Sequence, residues 1–348
     1  MRHWKRLMSL LVLLAAAVVF AMPPAVAEQD ADGITFMLIC NEGMQNDSGD
    51  VGNTIMLIHM LPDTGIVKQV MLNWDMFVDY PGYDLPQLFD HPFRVGGPEE
   101  TLRIFNENFD MDVQSYLSIN FLNLASLIDY YGGVTLDVTR EERNALNDMV
   151  GSKRREIEVA LGSLELDATL FDALFETYYL DSYGSDVHLS GLQAVGYGWL
   201  QYDSVANCCL RDVKVIAQLF FQVEKTAEQR LVFYDSESGE PDVSDGRFAI
   251  NLDDMSQEDA EQIERVIRPI FDESAHNLTS EQRDEISLAM IRSVYEANKA
   301  GIEQFEQIEY IVLPLEYQQE YTTIGGIDGH VIDKQANIHA LRQFLQGD

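Results

Sequence analysis

Two early stretches, ITFMLI (34–39) and TIMLIHM (54–60), are almost unbroken runs of apolar residues. Such runs are expected of strands covered on both faces, because a half-buried strand would alternate. LPDTG (61–65) supplies a turn, and IVKQVMLN (66–73) returns as the second arm of a hairpin. GGPEETLRIFNENF then carries a helix start. Pro98 loses nothing at the first helical position, where an N–H would go unused, and Glu99 and Glu100 suit the positive end of the helix dipole. Leu102, Phe105 and Phe109 follow at near-helical spacing. YLSINF alternates like a strand, LNLASLIDYY is a short helix stopped by Gly132-Gly133, and VTLDV is a strand again. Strands alternating with helices imply an α/β fold, a sheet with helices on both faces.

The pattern weakens over 140–188, where charge mixes with apolar pairs; helical excursions are expected there. Ser190 and Gln193 have capping-box spacing and open a helix with Leu192, Val195 and Trp199 on one face. Another helix is expected from near Leu210, its stripe formed by Val213, Ile216, Ala217, Phe220 and Val223. The polar, turn-rich stretch 234–256 is read as an internal loop of one domain spanning 33–348. Beyond it come helices near 257–269 and 280–299, the strand IEYIVL, and a final helix from Asp333.

The first 27 residues stand apart. Arg2, Lys5 and Arg6 precede an apolar run from Leu7 to Met22, and Ala25-Val26-Ala27 is a small-x-small cleavage site. A bilayer span needs roughly 20 residues, so an export signal is expected, with an uncut N-terminal anchor as the alternative. Either places the body outside the cytoplasm, as a secreted protein or one held at the outer face of the membrane. The whole chain carries a formal charge of −35, and removing three basic leader residues leaves −38. Nucleic acid is excluded as a partner, because binding it requires Lys and Arg to displace phosphate counterions. Three cysteines, Cys40, Cys208 and Cys209, form neither a disulfide framework nor a zinc-ligand spacing.

Asp75 draws attention because a carboxylate sits where a buried strand runs out, behind Trp74. Several blocks around it resemble one family. The opening FMLICNEGM…DVGNTIMLIHMLPDTGIVKQVMLNWDMFV looks like the start of the LytR–CpsA–Psr proteins of bacterial cell envelopes. The block DHPFRVGGPEETLRIFNENFDMDVQSYLSINFLNLASLIDYYGGVTLDV is similar to their next one, and HLSGLQAVGYGWL to a later helix, at Leu189, Gly191, Gln193, Ala194 and Tyr197. The C-terminal YIVLP…YTTIGGIDGHVIDKQANIHALRQFL resembles their usual ending. The resemblance implies a three-layer α/β/α fold with a central mixed sheet. It also implies phosphoryl transfer outside the cell, moving a glycopolymer from a polyprenyl pyrophosphate to peptidoglycan. That chemistry needs arginines to hold the diphosphate, and carboxylates to hold Mg²⁺ and activate the acceptor.

On that comparison Asp75 and Glu42 are the expected catalytic carboxylates and the ligands of any Mg²⁺. Asn53 stands where the family has an aspartate, and only Thr54 survives of that motif. Met44, Val51, Trp74, Trp199 and Gln201 occupy five positions that are usually arginine, whereas Arg211 and Lys214 remain basic and are the expected phosphate ligands. A charge-assisted hydrogen bond nets roughly 1.5–3 kcal/mol, so five losses remove on the order of 5–10 kcal/mol of diphosphate binding even after discounting. Trp74, Trp199 and Asn53 would line an apolar cleft fit for a lipid tail or a sugar face. Two functions follow from the resemblance: a degenerate, non-catalytic binder of isoprenoid-linked or glycan ligands, or an active phosphotransferase with a rebuilt site. The family frame also brings Cys40 and Cys208 to one rim, implying a disulfide from Cys40 to Cys208 or Cys209.

Overall fold

The computed structural model describes residues 33–41, 52–161, 176–302, 307–315 and 319–346. The leader, Glu42, Met44 and Val51 lie outside these, as does the side chain of Asn53. The apolar runs become β1 (Ile34–Asn41), β2 (Gly52–Leu61) and β3 (Ile66–Leu72); β4 (Tyr116–Asn120), β5 (Ala275–His276) and β6 (Ile308–Leu313) complete the sheet. Its order is β5-β4-β1-β2-β3-β6. The sheet is mixed: β1 runs parallel to β4 and β3 to β6, while β1–β2, β2–β3 and β4–β5 are antiparallel.

Side chains alternate between two cores, one on each face. Met37, Ile39, Ile55, Leu57, Val70 and Leu72 pack beneath α1 (His91–Phe109) and α8 (Lys334–Gln346). Phe36, Cys40, Met56, Ile58, Val67 and Met71 pack on the opposite face. That face is covered by α2 (Phe121–Tyr130), α4 (Gly191–Gly198), α5 (Val205–Arg230), α6 (Gln257–Asp272) and α7 (Ser280–Ala300), with Leu146 of α3 (Arg140–Leu161) joining them. The fold is the α/β/α arrangement expected from the sequence.

Two helix starts show how the sequence sets the layers. Gly97 breaks α1 with φ 71° and ψ −158°, so the regular helix runs from Pro98, as its chemistry requires. Ser190 and Gln193 close their capping box on α4, and Gly191 leaves no room for a side chain: a Cβ there would lie 1.9 Å from the Ala125 carbonyl oxygen. That contact locks α4 against α2. The start of α5 differs from expectation. It begins at Val205 rather than near Leu210, because the Ser204 side chain caps the Asn207 N–H at 3.2 Å and carries the helix through a polar first turn.

Candidate functional site

Three strand ends meet at one edge of the sheet. β1 finishes at Asn41, β2 begins beside it with Thr54 paired to Cys40, and β3 gives way to Asn73, Trp74 and Asp75. The Asn73 side chain accepts from the Asp75 N–H at 3.3 Å, and its carbonyl accepts from the Met76 N–H, turning the chain over. Asp75 therefore points back into the protein and is buried.

Its carboxylate already has a partner. His330 Nδ1 lies 2.8 Å from Asp75 Oδ1, and the His330 N–H donates to the Asp75 carbonyl at 2.9 Å. His330 belongs to a hairpin of Gln319–Ile324 with Ile327–Ile332. Gly329 permits the approach, since a Cβ there would stand 2.6 Å from the Asp75 carbonyl oxygen. Nothing in the sequence pattern marked His330 as a partner of Asp75, because the two are 255 residues apart.

Arg211 is also engaged. It is 2 % exposed. Its guanidinium reaches Asp203 through two bonds, at 2.8 and 3.1 Å, and donates to the Leu200 carbonyl. Glu142 stands 3.9 Å away and accepts from the Tyr197 hydroxyl at 3.0 Å. The Tyr202 ring stacks over the guanidinium at 5.1 Å. Lys214, by contrast, is exposed on α5. The structure does not bring the two expected phosphate ligands to one surface.

Asp212, missed in the sequence, lies at the centre. Thr54 Oγ1 donates to its Oδ2 at 2.8 Å. Gly198 makes way for it, as a Cβ there would sit 2.5 Å from Asp212 Oδ1. Burial pushes this carboxyl up to about 8, against smaller lowering effects from Thr54 and Arg211. At neutral pH it is mostly protonated. Because the folded value lies above the unfolded one, the stability linked to this group is fully present below about pH 4 and is lost as pH rises towards 8. Melting temperatures followed from pH 4 to 8 should therefore fall less steeply for Asp212→Asn than for the wild type. An unchanged slope would show that Asp212 is not held protonated.

The two carboxyl groups share a neighbour in Cys209, whose thiol is pushed well up by burial, then by Asp212, Cys208 and Asp75. The expected bridge from Cys40 to Cys208 or Cys209 is not formed. All three thiols are free and buried, held by core packing, and the Cys208 thiol donates to the Gly198 carbonyl at 3.4 Å. Trp199 ends α4 and lies half-buried against Phe121, ring centroids 5.8 Å apart. Trp74 is half-buried, its carbonyl accepting from the Asp90 N–H at 3.2 Å, and Gln201 is exposed.

Of the two expected Mg²⁺ ligands only Asp75 is among the described residues. That ion asks for charged oxygens in octahedral array. Asp75 is bonded to His330, Glu42 lies outside the described residues, and no group of three or more His, Cys, Asp or Glu side chains among the described residues converges on a cation position.

Behind the site, between the sheet and α5–α7, lies an apolar cavity of about 90 Å³. Phe36, Ile58, Leu219, Phe271 and Met290 form much of its wall, with Gln69 and Ser274 as the polar exceptions.

The LytR_cpsA_psr family model matches residues 20–204. A polyisoprenyl-teichoic acid–peptidoglycan teichoic acid transferase, TagU of Oceanobacillus iheyensis, is 27% identical over 31% of this chain and 35% of its own length. A probable cell wall biosynthesis protein, LcpB of Corynebacterium glutamicum, is 28% identical over 32% of this chain and 30% of its own. Each match thus spans about a third of the relative. Among solved structures, TagT bound to LIIa-WTA superposes with a TM-score of 0.57 at 15% identity, covering 91% of both chains. TagV of B. subtilis gives 0.57 at 12% identity, covering 91% of this chain and 96% of its own. These likenesses establish a common fold.

Proposed function

The chain belongs to the LytR_cpsA_psr family, and from that premise we propose that it is a non-catalytic member acting at the cell envelope, outside the cytoplasm, where it binds isoprenoid-linked or glycan ligands. One observation carries this reading. Asp75 and Arg211, which the family comparison marks as a catalytic carboxylate and a phosphate ligand, are both bonded inside the protein, to His330 and Asp203. Arg211 would have to give up its bonds to Asp203 and the Leu200 carbonyl to turn its forked donors towards a phosphate. The missing arginines point the same way. Without them a diphosphate finds less compensation for its lost hydration. Apolar surface remains: the cavity behind the site and the Trp199–Phe121 pair offer a lipid chain or a sugar face a place to bury. Peptidoglycan and polyprenyl-linked glycopolymers are the partners that the family and the role of TagU as a teichoic acid transferase suggest.

Calorimetric titration with geranylgeraniol and geranylgeranyl pyrophosphate, from low to high ionic strength, tests this. The two should bind within about threefold of each other, with little dependence on salt, since screening acts on charge and not on apolar burial. Pyrophosphate-selective binding that weakens steeply with salt would favour the phosphotransferase reading.

A further inference from the structure

A second concavity lies on the other face of the sheet from the apolar cavity, beside the core that Tyr80 shares with α1 and α8. The short strands Phe77–Val78 and Gln87–Leu88 pair antiparallel. The loop between them closes on the end of α1 and the start of α8 around an open cleft of about 380 Å³. Small-molecule sites run from roughly 300 to 1,000 Å³. Tyr83 is 46 % exposed in this cleft, yet it is held in place. Its N–H donates to the Tyr80 carbonyl at 3.2 Å across Pro81-Gly82, with Gly82 at φ 95°. Its ring stacks on that of buried Tyr80, centroids 5.0 Å apart, and His91 stands steeply against both. Asn108 anchors the start of the loop: its Oδ1 accepts from the Asp79 N–H at 2.9 Å and its Nδ2 donates to the Asp79 carbonyl at 2.8 Å. A ring fixed in this way loses little freedom when a ligand covers it.

Charge narrows the ligand. Asp79, Asp84 and Glu107 line the cleft with Lys334. Three carboxylates against one ammonium repel a phosphate or a carboxylate. A cation is poorly served too, because Lys334 occupies the same wall and meets Asp79 at 3.3 Å, while Glu107 is paired with Arg103. The wall instead offers acceptors and a donor around an exposed aromatic face. Hydroxyl groups both donate and accept, and the C–H side of a sugar ring suits the negative face of an aromatic one. We propose that this cleft is a binding site for a neutral sugar, a unit of a glycan chain that stacks on Tyr83 and bonds its hydroxyls to Asp79, Asp84 and Lys334. The site shares with the function proposed above only the class of glycan ligands. It lies across the sheet from the apolar cavity and from the Trp199–Phe121 pair.

Saturation-transfer NMR titrations of the full chain provide the test, with triacetylchitotriose and maltotriose as neutral probes. N-acetylglucosamine 6-phosphate and choline are the anionic and cationic ones. At least one neutral trisaccharide should bind saturably, and neither charged probe should do so over the same range. Tyr83→Ala should weaken the trisaccharide by about tenfold, and Tyr83→Phe, which keeps the ring face, should stay within about twofold of the wild type. Asp84→Asn should weaken it by about threefold, since a charged acceptor makes the stronger hydrogen bond. All three changes are at exposed side chains, so the variants should melt near the wild type and bind geranylgeraniol as it does. Failure of both trisaccharides to bind, equal binding of either charged probe, or affinities unmoved by Tyr83→Ala and Asp84→Asn would overturn the site. Geranylgeraniol binding by the same samples would then leave the function proposed above standing.

Discussion

Arg211→Ala should cost about 1–3 kcal/mol of stability, since a buried guanidinium loses its charged hydrogen bonds to Asp203, which is itself exposed. Asp203 would lose both of its guanidinium bonds, the Leu200 carbonyl would lose its donor, and Glu142 would lose the nearby positive charge. Thermal melting should drop by roughly 2–6 °C for a chain of this size. Lysine should not rescue it, since an ammonium cannot reproduce a planar fork against Asp203. A phosphate-binding arginine at the mouth of a site would behave in the opposite way: its removal would weaken ligand binding and leave stability nearly unchanged. Melting curves for wild type, Arg211→Ala and Arg211→Lys therefore separate the two roles without any ligand.

The second large effect is expected at Asp75. Asp75→Ala should cost about 2 kcal/mol, because His330 loses its buried charged acceptor. The loss should be local first. The hairpin Gln319–Ile324/Ile327–Ile332 is tied to the Asp75 turn by that side-chain bond and by the His330 N–H to the Asp75 carbonyl. Limited proteolysis should thus cut faster within 319–332, while Asp75→Asn, which keeps an acceptor, should be cut at a rate nearer the wild type. A carboxylate kept only for chemistry would show neither change.

How far the sequence reveals this depends on whether a feature is written locally. The strands of the central sheet were legible because burial on both faces leaves unbroken apolar runs, as in 34–39 and 54–60. The break before Pro98 was legible because ring and backbone chemistry impose it at Gly97. The first turn of α5 was not, since Ala206 and Asn207 are exposed and carry no apolar stripe, and only the cap at Ser204 marks it. At the site, the family comparison placed Asp75 at a strand end, as found. It could not tell that His330 would be folded onto it from the far end of the chain. Nor could it tell that Asp203, in the loop before α5, would turn Arg211 inward. Asp212 escaped notice because an acid one residue past an arginine reads as a surface charge. Its role comes from Thr54, 158 residues away, and from the space left by Gly198.

In the function proposed above, the surviving charged residues of the site hold the fold together and perform no phosphoryl transfer. The most direct test is Mg²⁺-dependent phosphate release from geranylgeranyl pyrophosphate, measured for the wild type and for Asp75→Ala and Arg211→Ala under conditions where each is folded. All three should match the rate without protein. Release by the wild type that either substitution abolishes would contradict the account.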